Sequence, residues 1–300
     1  ASDVYKRQVL KRVITAIVLL MVIVALAILS TSGVWTVVSI FLTTVIAYEY
    51  GQLIGFRRTT LGLYVVSVAI ILSVALLHLN FFTAVWSKNA FGWEFGFVLL
   101  GYWAVFVPYI LKNRLPVFSG LRGAILGWLM LFTFGAAVAA LFAHKTTLGW
   151  ASLKEIDFTI FYLIILVWVA DSAAYFIGKT FGRHKLAVSL SPGKSIEGVI
   201  GGVIAVLVFS ALYFFFFHEK FLLPGNGINF FLFILLSIPL SLLSVIGDLL
   251  ESYLKRTAGV KDSGGLLPGH GGFYDRMDAQ VAVLTLYPLY HAVLGLIGGT

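Results

Sequence analysis

Long uninterrupted apolar runs limit what this 300-residue chain can fold into. A helix needs roughly 20 apolar residues to cross the ~30 Å hydrocarbon layer of a bilayer, and nine runs approach that length. They span residues 13–29, 34–54, 61–82, 93–111, 124–142, 158–178, 196–217, 229–250 and 277–297. No segment alternates with the period of a barrel strand, and backbone groups in lipid must pair within the segment. The sequence therefore predicts an all-α polytopic membrane protein of about nine transmembrane helices.

The composition agrees with this class. The chain is 60% hydrophobic and 11% charged, which is too apolar for a soluble enzyme or a disordered chain. It has no cysteine, which excludes thiol catalysis, Cys-ligated zinc and iron–sulfur clusters. The formal net charge is +8, but the basic residues lie in short loops between apolar runs, a pattern that favours anionic membrane lipid over nucleic acid.

The positions of lysine and arginine predict an orientation. With a cytoplasmic N-terminus, four of the 21 basic residues fall on the outer side, and these are Lys88, Lys145, Lys154 and Lys220. We expect five helices in residues 9–157, and a catalytic region of four helices with long cytoplasmic loops in residues 158–300. Residues 1–8 resemble a translated sequencing adapter and are expected to be non-native. The expected location is the bacterial inner membrane, because the chain is compact and shows no transit peptide.

Acidic residues near hydrocarbon are costly and usually functional. In this topology eight of the thirteen acidic residues map to cytoplasmic loops or cytoplasmic helix ends, and five of the eight lie between Asp248 and Asp278. The eight are Glu49, Asp171, Glu197, Asp248, Glu251, Asp262, Asp275 and Asp278. The predicted active site is therefore at the cytoplasmic ends of the C-terminal helices.

The segment 247–278 suggests phosphoryl transfer. Asp248, Glu251 and Lys255 are spaced by three and four residues and share one helix face. Asp275 and Asp278 lie one turn apart at the start of the next helix. Carboxylates on two helix ends can hold Mg²⁺ through oxygen and leave positions for phosphate. No residue is set up as a covalent nucleophile, and an acceptor phosphate would bring its own nucleophilic oxygen.

The same segment resembles the signature of the phosphatidate cytidylyltransferase family, S-x-hydrophobic-K-R-x4-K-D-x-small-x2-hydrophobic-P-x-H-G-G-hydrophobic-x-D-R-hydrophobic-D. Residues 252–278 match it at every defined position. Two further blocks, DSAAYFIGKTFGRHKL from Asp171 and SPGKSIEGVIGG from Ser191, resemble the same family. The resemblance implies that CTP and phosphatidate react on the cytoplasmic side, with Mg²⁺, to give CDP-diacylglycerol and pyrophosphate. It also implies a homodimer, and a second cation is left open.

The resemblance implies roles for individual residues. Three metal ligands are expected, Asp248, Asp275 and Asp278, of which Asp248 and Asp275 would be the principal ones, and Glu251 would lie nearby. The other expected catalytic residues bind the triphosphate, and they are Ser252, Lys255, Arg256 and Arg276. The expected substrate-binding residues are Asp171, Lys179, Lys194, Ser195, Glu197, Lys261, Asp262, His270, Gly271 and Gly272.

Other interpretations remain open for some of these features. Lys179, Arg183 and Lys185 have the positions of simple membrane anchors, and Glu49 is predicted to be a packed or interfacial residue and not a catalytic one. Asp248 and Asp275 would have a structural role if they only paired with Lys255 or Arg276. A transporter would place its carboxylates near the bilayer midplane, in repeated halves. A CDP-alcohol phosphatidyltransferase would carry D-G-x2-A-R-x8-G-x3-D-x3-D, which this chain lacks.

Overall fold

The computed structural model of this chain describes residues 25, 31–78, 90–116, 118–140, 158–218, 229–267, 271–286, 289–290 and 293. Its helices are α1 (Ser32–Leu53), α2 (Arg58–His78), α3 (Ala90–Gly101), α4 (Val107–Asn113), α5 (Gly120–Ala140), α6 (Phe158–Phe181), α7 (Ile196–Phe217), α8 (Phe230–Ala258) and α9 (Tyr274–Thr285). A π-helical turn, Tyr102–Phe106, joins α3 to α4. Two short antiparallel strands, β1 (Lys185–Ala187) and β2 (Ser191–Ser195), form a hairpin between α6 and α7.

Seven stretches of helix in the described residues are long and apolar enough to cross a membrane. They correspond to the second to eighth predicted runs, and α3, the π-helical turn and α4 together supply the fourth run. Large apolar side chains point outward, such as Leu63, Phe215 and Phe231, which are 72%, 75% and 79% exposed. A water-soluble protein does not expose so much apolar surface, whereas lipid accommodates it. The prediction of an all-α polytopic membrane protein is confirmed at this level.

Parts of the predicted helix pattern lie outside the described residues. These are residues 1–8, nearly all of the run 13–29, and most of the run 277–297 beyond the end of α9. The β1–β2 hairpin is a difference from the prediction, because a three-residue and a five-residue strand are too short to show in a hydropathy pattern. Helix α8 continues about two turns beyond the apolar run that ends at residue 250, as the helical spacing of Asp248, Glu251 and Lys255 predicts. It ends at Gly259, whose φ of 71° turns the chain out of the helix.

Glycines bring α6 and α7 into backbone contact. A Cβ atom on Gly198 would lie 2.7 Å from the carbonyl oxygen of Ala174, and one on Gly202 would lie 3.0 Å from that of Ala170. Glycines four residues apart share one helix face and let two helices approach closely in a membrane. This contact places Lys194, just before α7, near Asp171 of α6.

Gly247 has the same effect between α8 and α9. A Cβ atom at this position would lie 2.7 Å from the carbonyl oxygen of Asp278 and 2.7 Å from the Cβ atom of Ala282. Because residue 247 has no side chain, α9 packs directly on α8. The next residue, Asp248, is therefore held beside the start of α9.

We expect Gly247→Ala to destabilise the protein, because the added methyl group must push α9 away from α8. Overpacking of this kind costs about 1–3 kcal/mol. The matched control is Gly62→Ala in α2, where a Cβ atom would meet nothing within 4 Å and alanine is the better helix former. Thermal denaturation in detergent should show a lower midpoint for Gly247→Ala and no decrease for Gly62→Ala. Equal midpoints for the two variants would show that the close approach of α8 and α9 does not depend on Gly247.

Candidate active site

Three carboxylates meet where α8 packs on α9. Asp248 and Glu251 lie one turn apart on α8, Asp278 lies near the start of α9, and one oxygen from each is within 4.8 Å of the others. We call these residues the carboxylate cluster. Carboxylates this close repel one another when ionised, so the cluster favours a cation or a bound proton. The structure thus brings together two of the three predicted metal ligands, Asp248 and Asp278, with Glu251 as the third member.

Glu251 is the most buried member of the carboxylate cluster. Its side chain is 1% exposed, and its Oε2 atom lies 2.7 Å from Nζ of Lys255. Its Oε1 atom accepts no hydrogen bond from any residue that the structure describes. A buried polar atom without a partner is costly, and a bound cation would supply one. Three carboxylates form the all-oxygen ligand set that Mg²⁺ prefers, so the residues present fit such an ion.

Residues from the other two sequence blocks, which begin at Asp171 and Ser191, also lie beside the carboxylate cluster. Nζ of Lys194, on β2, lies 2.7 Å from Oδ2 of Asp248. Asp171, on α6, is close enough to interact electrostatically with both Asp248 and Lys194. Ser252 donates a long hydrogen bond of 3.4 Å to Oδ1 of Asp248. The lysine and the aspartate of this ion pair keep 21% and 33% of their side chains exposed, so a ligand can reach them.

Both carboxylate oxygens of Asp275 are bound by other residues of the chain. Its Oδ1 atom lies 2.7 Å from Nζ of Lys255, and its Oδ2 atom accepts hydrogen bonds from the backbone N–H groups of Ser263 and Gly272, both at 2.8 Å. Burial by itself would raise the pKa of Asp275, but the hydrogen bonds donated by Lys255 and by these two N–H groups outweigh it, and the pKa lies below its usual 3.8. Asp275 is therefore ionised at neutral pH.

These contacts show that Asp275 has a structural role. It closes the loop between α8 and α9, residues 259–273, which we call the signature loop. Lys255 joins Asp275 to Glu251, with both Nζ–O distances at 2.7 Å. The assignment of Asp275 as a metal ligand stays a prediction.

The remaining predicted site residues differ in their exposure and in their contacts. Lys179, Arg256, Lys261, Asp262 and Arg276 are exposed on the ends of α6, α8 and α9 or on the signature loop. Gly271 has a φ of 84°, and its carbonyl oxygen accepts a hydrogen bond from the N–H of Leu267, whereas Gly272 is buried. His270 lies outside the described residues.

Ser195 and Glu197 have local partners at the start of α7. The Ser195 hydroxyl caps α7 by accepting a 3.2 Å hydrogen bond from the N–H of Gly198. Glu197 accepts hydrogen bonds from the N–H groups of Arg183 and His184, and its Oε1 atom lies 2.6 Å from Nδ1 of His184. Both residues therefore fix the hairpin to α7, and their contact with a substrate stays a prediction.

The sequence did not reveal two residues that contact this region, Glu49 and Ser263. Glu49, on α1, is fully buried, as predicted for a packed residue, but it hydrogen-bonds the signature loop and the start of α9. Ser263 lies in the signature loop, and its hydroxyl donates to Glu49. A lone glutamate inside an apolar run was the available signal.

Comparison with known proteins assigns the chain to a family. A family model described as the cytidylyltransferase family matches residues 10–294. The chain belongs to the cytidylyltransferase family. The cytidylyltransferase match begins before α1 and ends after α9, so it includes the N-terminal helices as well as the carboxylate cluster. This membership argues against the transporter and the CDP-alcohol phosphatidyltransferase.

Individual cytidylyltransferases are similar over a shorter stretch. A phosphatidate cytidylyltransferase of Haemophilus influenzae is 48% identical over 134 residues, which are 45% of this chain and 46% of that protein. The phosphatidate cytidylyltransferases of Staphylococcus haemolyticus and Bacillus subtilis are 44% and 41% identical over 127 and 125 residues. Each match covers 42% of this chain and 46% or 44% of the relative. The chain therefore matches somewhat less than half the length of each relative.

Proposed function

We propose that this protein transfers the cytidylyl group of CTP to phosphatidate, producing CDP-diacylglycerol and pyrophosphate. The observation that carries the proposal is the carboxylate cluster, with Lys194 and Lys255 each 2.7 Å from one of its members. Such a set of acids and cations suits a polyphosphate and a divalent metal. The relatives named phosphatidate cytidylyltransferase supply the identity of the substrates.

Magnesium is the proposed cofactor, and the carboxylate cluster is the proposed place for it. Asp248, Glu251 and Asp278 would hold the ion, and Asp275 remains a further predicted ligand. When bound, Mg²⁺ would neutralise triphosphate oxygens and stabilise the charge that builds up on the departing pyrophosphate. A second cation is left open.

The proposed reaction needs no covalent enzyme intermediate. An oxygen of the phosphatidate phosphate forms a bond to the α-phosphorus of CTP. The bond from that phosphorus to the oxygen that bridges to the β-phosphorus breaks, and its electron pair leaves with pyrophosphate. The attacking oxygen is already ionised at neutral pH, so no general base is required. The work of the chain is to bind, orient and neutralise the two anionic substrates.

Basic residues around the cluster would bind these substrates. Lys194, Lys255, Arg256 and Arg276 are proposed to contact the triphosphate, together with Lys261 and His270 from the signature loop. Lys179, Arg183 and Lys185 would face the lipid headgroup, because all three are exposed at the end of α6 and on the adjoining hairpin. We further propose that this end of the helices faces the cytoplasm, as the distribution of basic residues predicts, and that the protein is a homodimer.

Pyrophosphate release by purified protein in detergent tests the proposed function. Phosphatidate would be supplied with CTP, UTP, ATP or GTP, each with and without Mg²⁺. We expect release only when CTP, phosphatidate and Mg²⁺ are present together. Release that does not require the lipid, or equal release with another nucleotide, would contradict the proposed function.

A further inference from the structure

Glu49 is an acidic residue on α1, more than 200 positions before the signature loop. Its side chain is fully buried and is held by three hydrogen-bond donors. Oε2 accepts from the hydroxyl of Ser263 at 2.8 Å and from the N–H of Tyr274 at 2.7 Å. Oε1 accepts from the N–H of Phe273 at 3.0 Å. All three partners donate, so the position requires a group that only accepts.

The signature loop is shaped to receive this carboxylate. A Cβ atom on Gly272 would lie 2.6 Å from Oε2 of Glu49 and 2.6 Å from the backbone nitrogen of Gly264. A Cβ atom on Gly264 would also collide with Oε1 of Glu49. These two glycines therefore leave the space that the Glu49 side chain fills.

Glu49 also caps the N-terminus of α9. The residue that precedes this helix, Phe273, provides no side-chain cap within the described part of the chain. The N–H groups at a helix start carry partial positive charge and need an acceptor. The Glu49 carboxylate accepts from two of them, so a side chain of α1 does for α9 what a capping serine or aspartate does in other helices.

A chain of contacts leads from Glu49 to the carboxylate cluster through Ser263. The Ser263 hydroxyl donates to Glu49 and accepts from the N–H of Asp275 at 3.2 Å, and the Ser263 N–H donates to Oδ2 of Asp275 at 2.8 Å. Asp275 then binds Lys255, which binds Glu251 of the cluster. Glu49 thus influences the cluster through its neighbours, and the structure shows no direct contact between Glu49 and the cluster among the described residues.

We propose that Glu49 is a positioning residue, which holds the signature loop and the start of α9 so that Asp275 and Asp278 face Glu251 and Asp248. The N-terminal helices thereby take part in forming the site. The expected effect on turnover rests on the proposed function, whereas the expected effect on the loop does not.

The variant that tests this proposal is Glu49→Gln. Glutamine has nearly the same shape as glutamate, but its amide nitrogen would face an N–H or O–H donor at this position, whichever way the amide is turned. The matched control is Thr43→Val on the same helix. Thr43 is also buried, and its hydroxyl has no hydrogen-bond partner among the described residues. Two quantities would be measured, turnover and amide hydrogen exchange of the peptide covering residues 271–276.

We expect Glu49→Gln to lower turnover by about tenfold or more, the size of loss typical when a group that supports a metal ligand is removed. Exchange in the 271–276 peptide should become faster, because the N–H of either Phe273 or Tyr274 loses its acceptor when an amide nitrogen replaces one carboxylate oxygen. Thr43→Val should match the wild type in both measurements. Glu49→Gln with unchanged exchange, or with turnover within about twofold of the wild type, would overturn the proposal.

Ser263→Ala keeps the proposal testable if Glu49→Gln folds poorly. It leaves Glu49 in place and removes only the hydroxyl that links Glu49 to Asp275. We expect Ser263→Ala by itself to lower turnover and to speed exchange of the 271–276 peptide, because the N–H of Asp275 loses its acceptor. Where Glu49→Gln does fold, the loss should be smaller than for Glu49→Gln, and combining the two changes should give no further loss, because both break the same contact chain. Independent, multiplying losses would count against the proposal. If the wild type releases no pyrophosphate with CTP and phosphatidate, the proposed function fails, and exchange of the 271–276 peptide still decides whether Glu49 holds the loop.

Discussion

Replacing Asp248 with asparagine is expected to reduce cytidylyl transfer by about a hundredfold or more. Asp248 is the member of the carboxylate cluster that also pairs with Lys194 and accepts from Ser252. Asparagine keeps the shape but loses the charge that binds a cation. Even residues that only support a metal ligand typically contribute 10–100-fold to metal affinity or activity, so loss of a proposed ligand should cost more.

Pyrophosphate release at saturating CTP and phosphatidate would measure this effect. The matched control is Gln52→Ala, an exposed position on α1 outside the site, which should retain wild-type turnover. Thermal denaturation in detergent would verify that Asp248→Asn is folded. If the folded variant kept turnover within about tenfold of the wild type, the carboxylate cluster would not be the place where the reaction is catalysed.

Replacing Lys255 with methionine is expected to impair both stability and activity. The Lys255 ammonium lies 2.7 Å from Glu251 and 2.7 Å from Asp275, and its side chain is 16% exposed. Methionine fills similar space without the charge, and leaves two largely buried carboxylates unpaired. Removing one partner of a buried ion pair costs about 3–5 kcal/mol. Because Asp275 also closes the signature loop, the site should lose its shape as well.

Thermal denaturation of Lys255→Met beside Arg256→Met separates this effect from a simple loss of positive charge. Arg256 is the next residue and is exposed, so its replacement should leave the denaturation midpoint almost unchanged. Lys255→Met should have a clearly lower midpoint and negligible pyrophosphate release. Equal midpoints for the two variants would mean that Lys255 does not hold Glu251 and Asp275 together.

The sequence predicted the helices well because a run of about 20 apolar residues in lipid has few alternatives to a helix. The run 196–217 coincides with α7, and the face formed by Asp248, Glu251 and Lys255 follows directly from helical spacing. The sequence could not tell which aspartate at the start of α9 joins the carboxylate cluster. Asp275 and Asp278 are three residues apart and point in similar directions, and backbone N–H groups of the signature loop decide that Asp275 is bound there.

Contacts between residues that are far apart in the sequence also could not be predicted. The hydrogen bond from Ser263 to Glu49 joins residues 214 positions apart, and no local pattern encodes such a pair. The glycines that permit it, Gly264 and Gly272, look like ordinary turn residues in the sequence. Only the packing of α1 against the signature loop shows that their missing side chains make room for a carboxylate.

The fate of each phosphorus of CTP tests the central claim most directly. Wild-type protein would receive phosphatidate, Mg²⁺ and CTP labelled either at the α-phosphorus or at the γ-phosphorus, and the label in extracted lipid would be counted. Attack on the α-phosphorus predicts that the α-label enters the lipid while the γ-label leaves in pyrophosphate, and that Asp248→Asn transfers neither. Lipid labelled from the γ-position, or equal α-label transfer by Asp248→Asn, would contradict cytidylyl transfer at the carboxylate cluster.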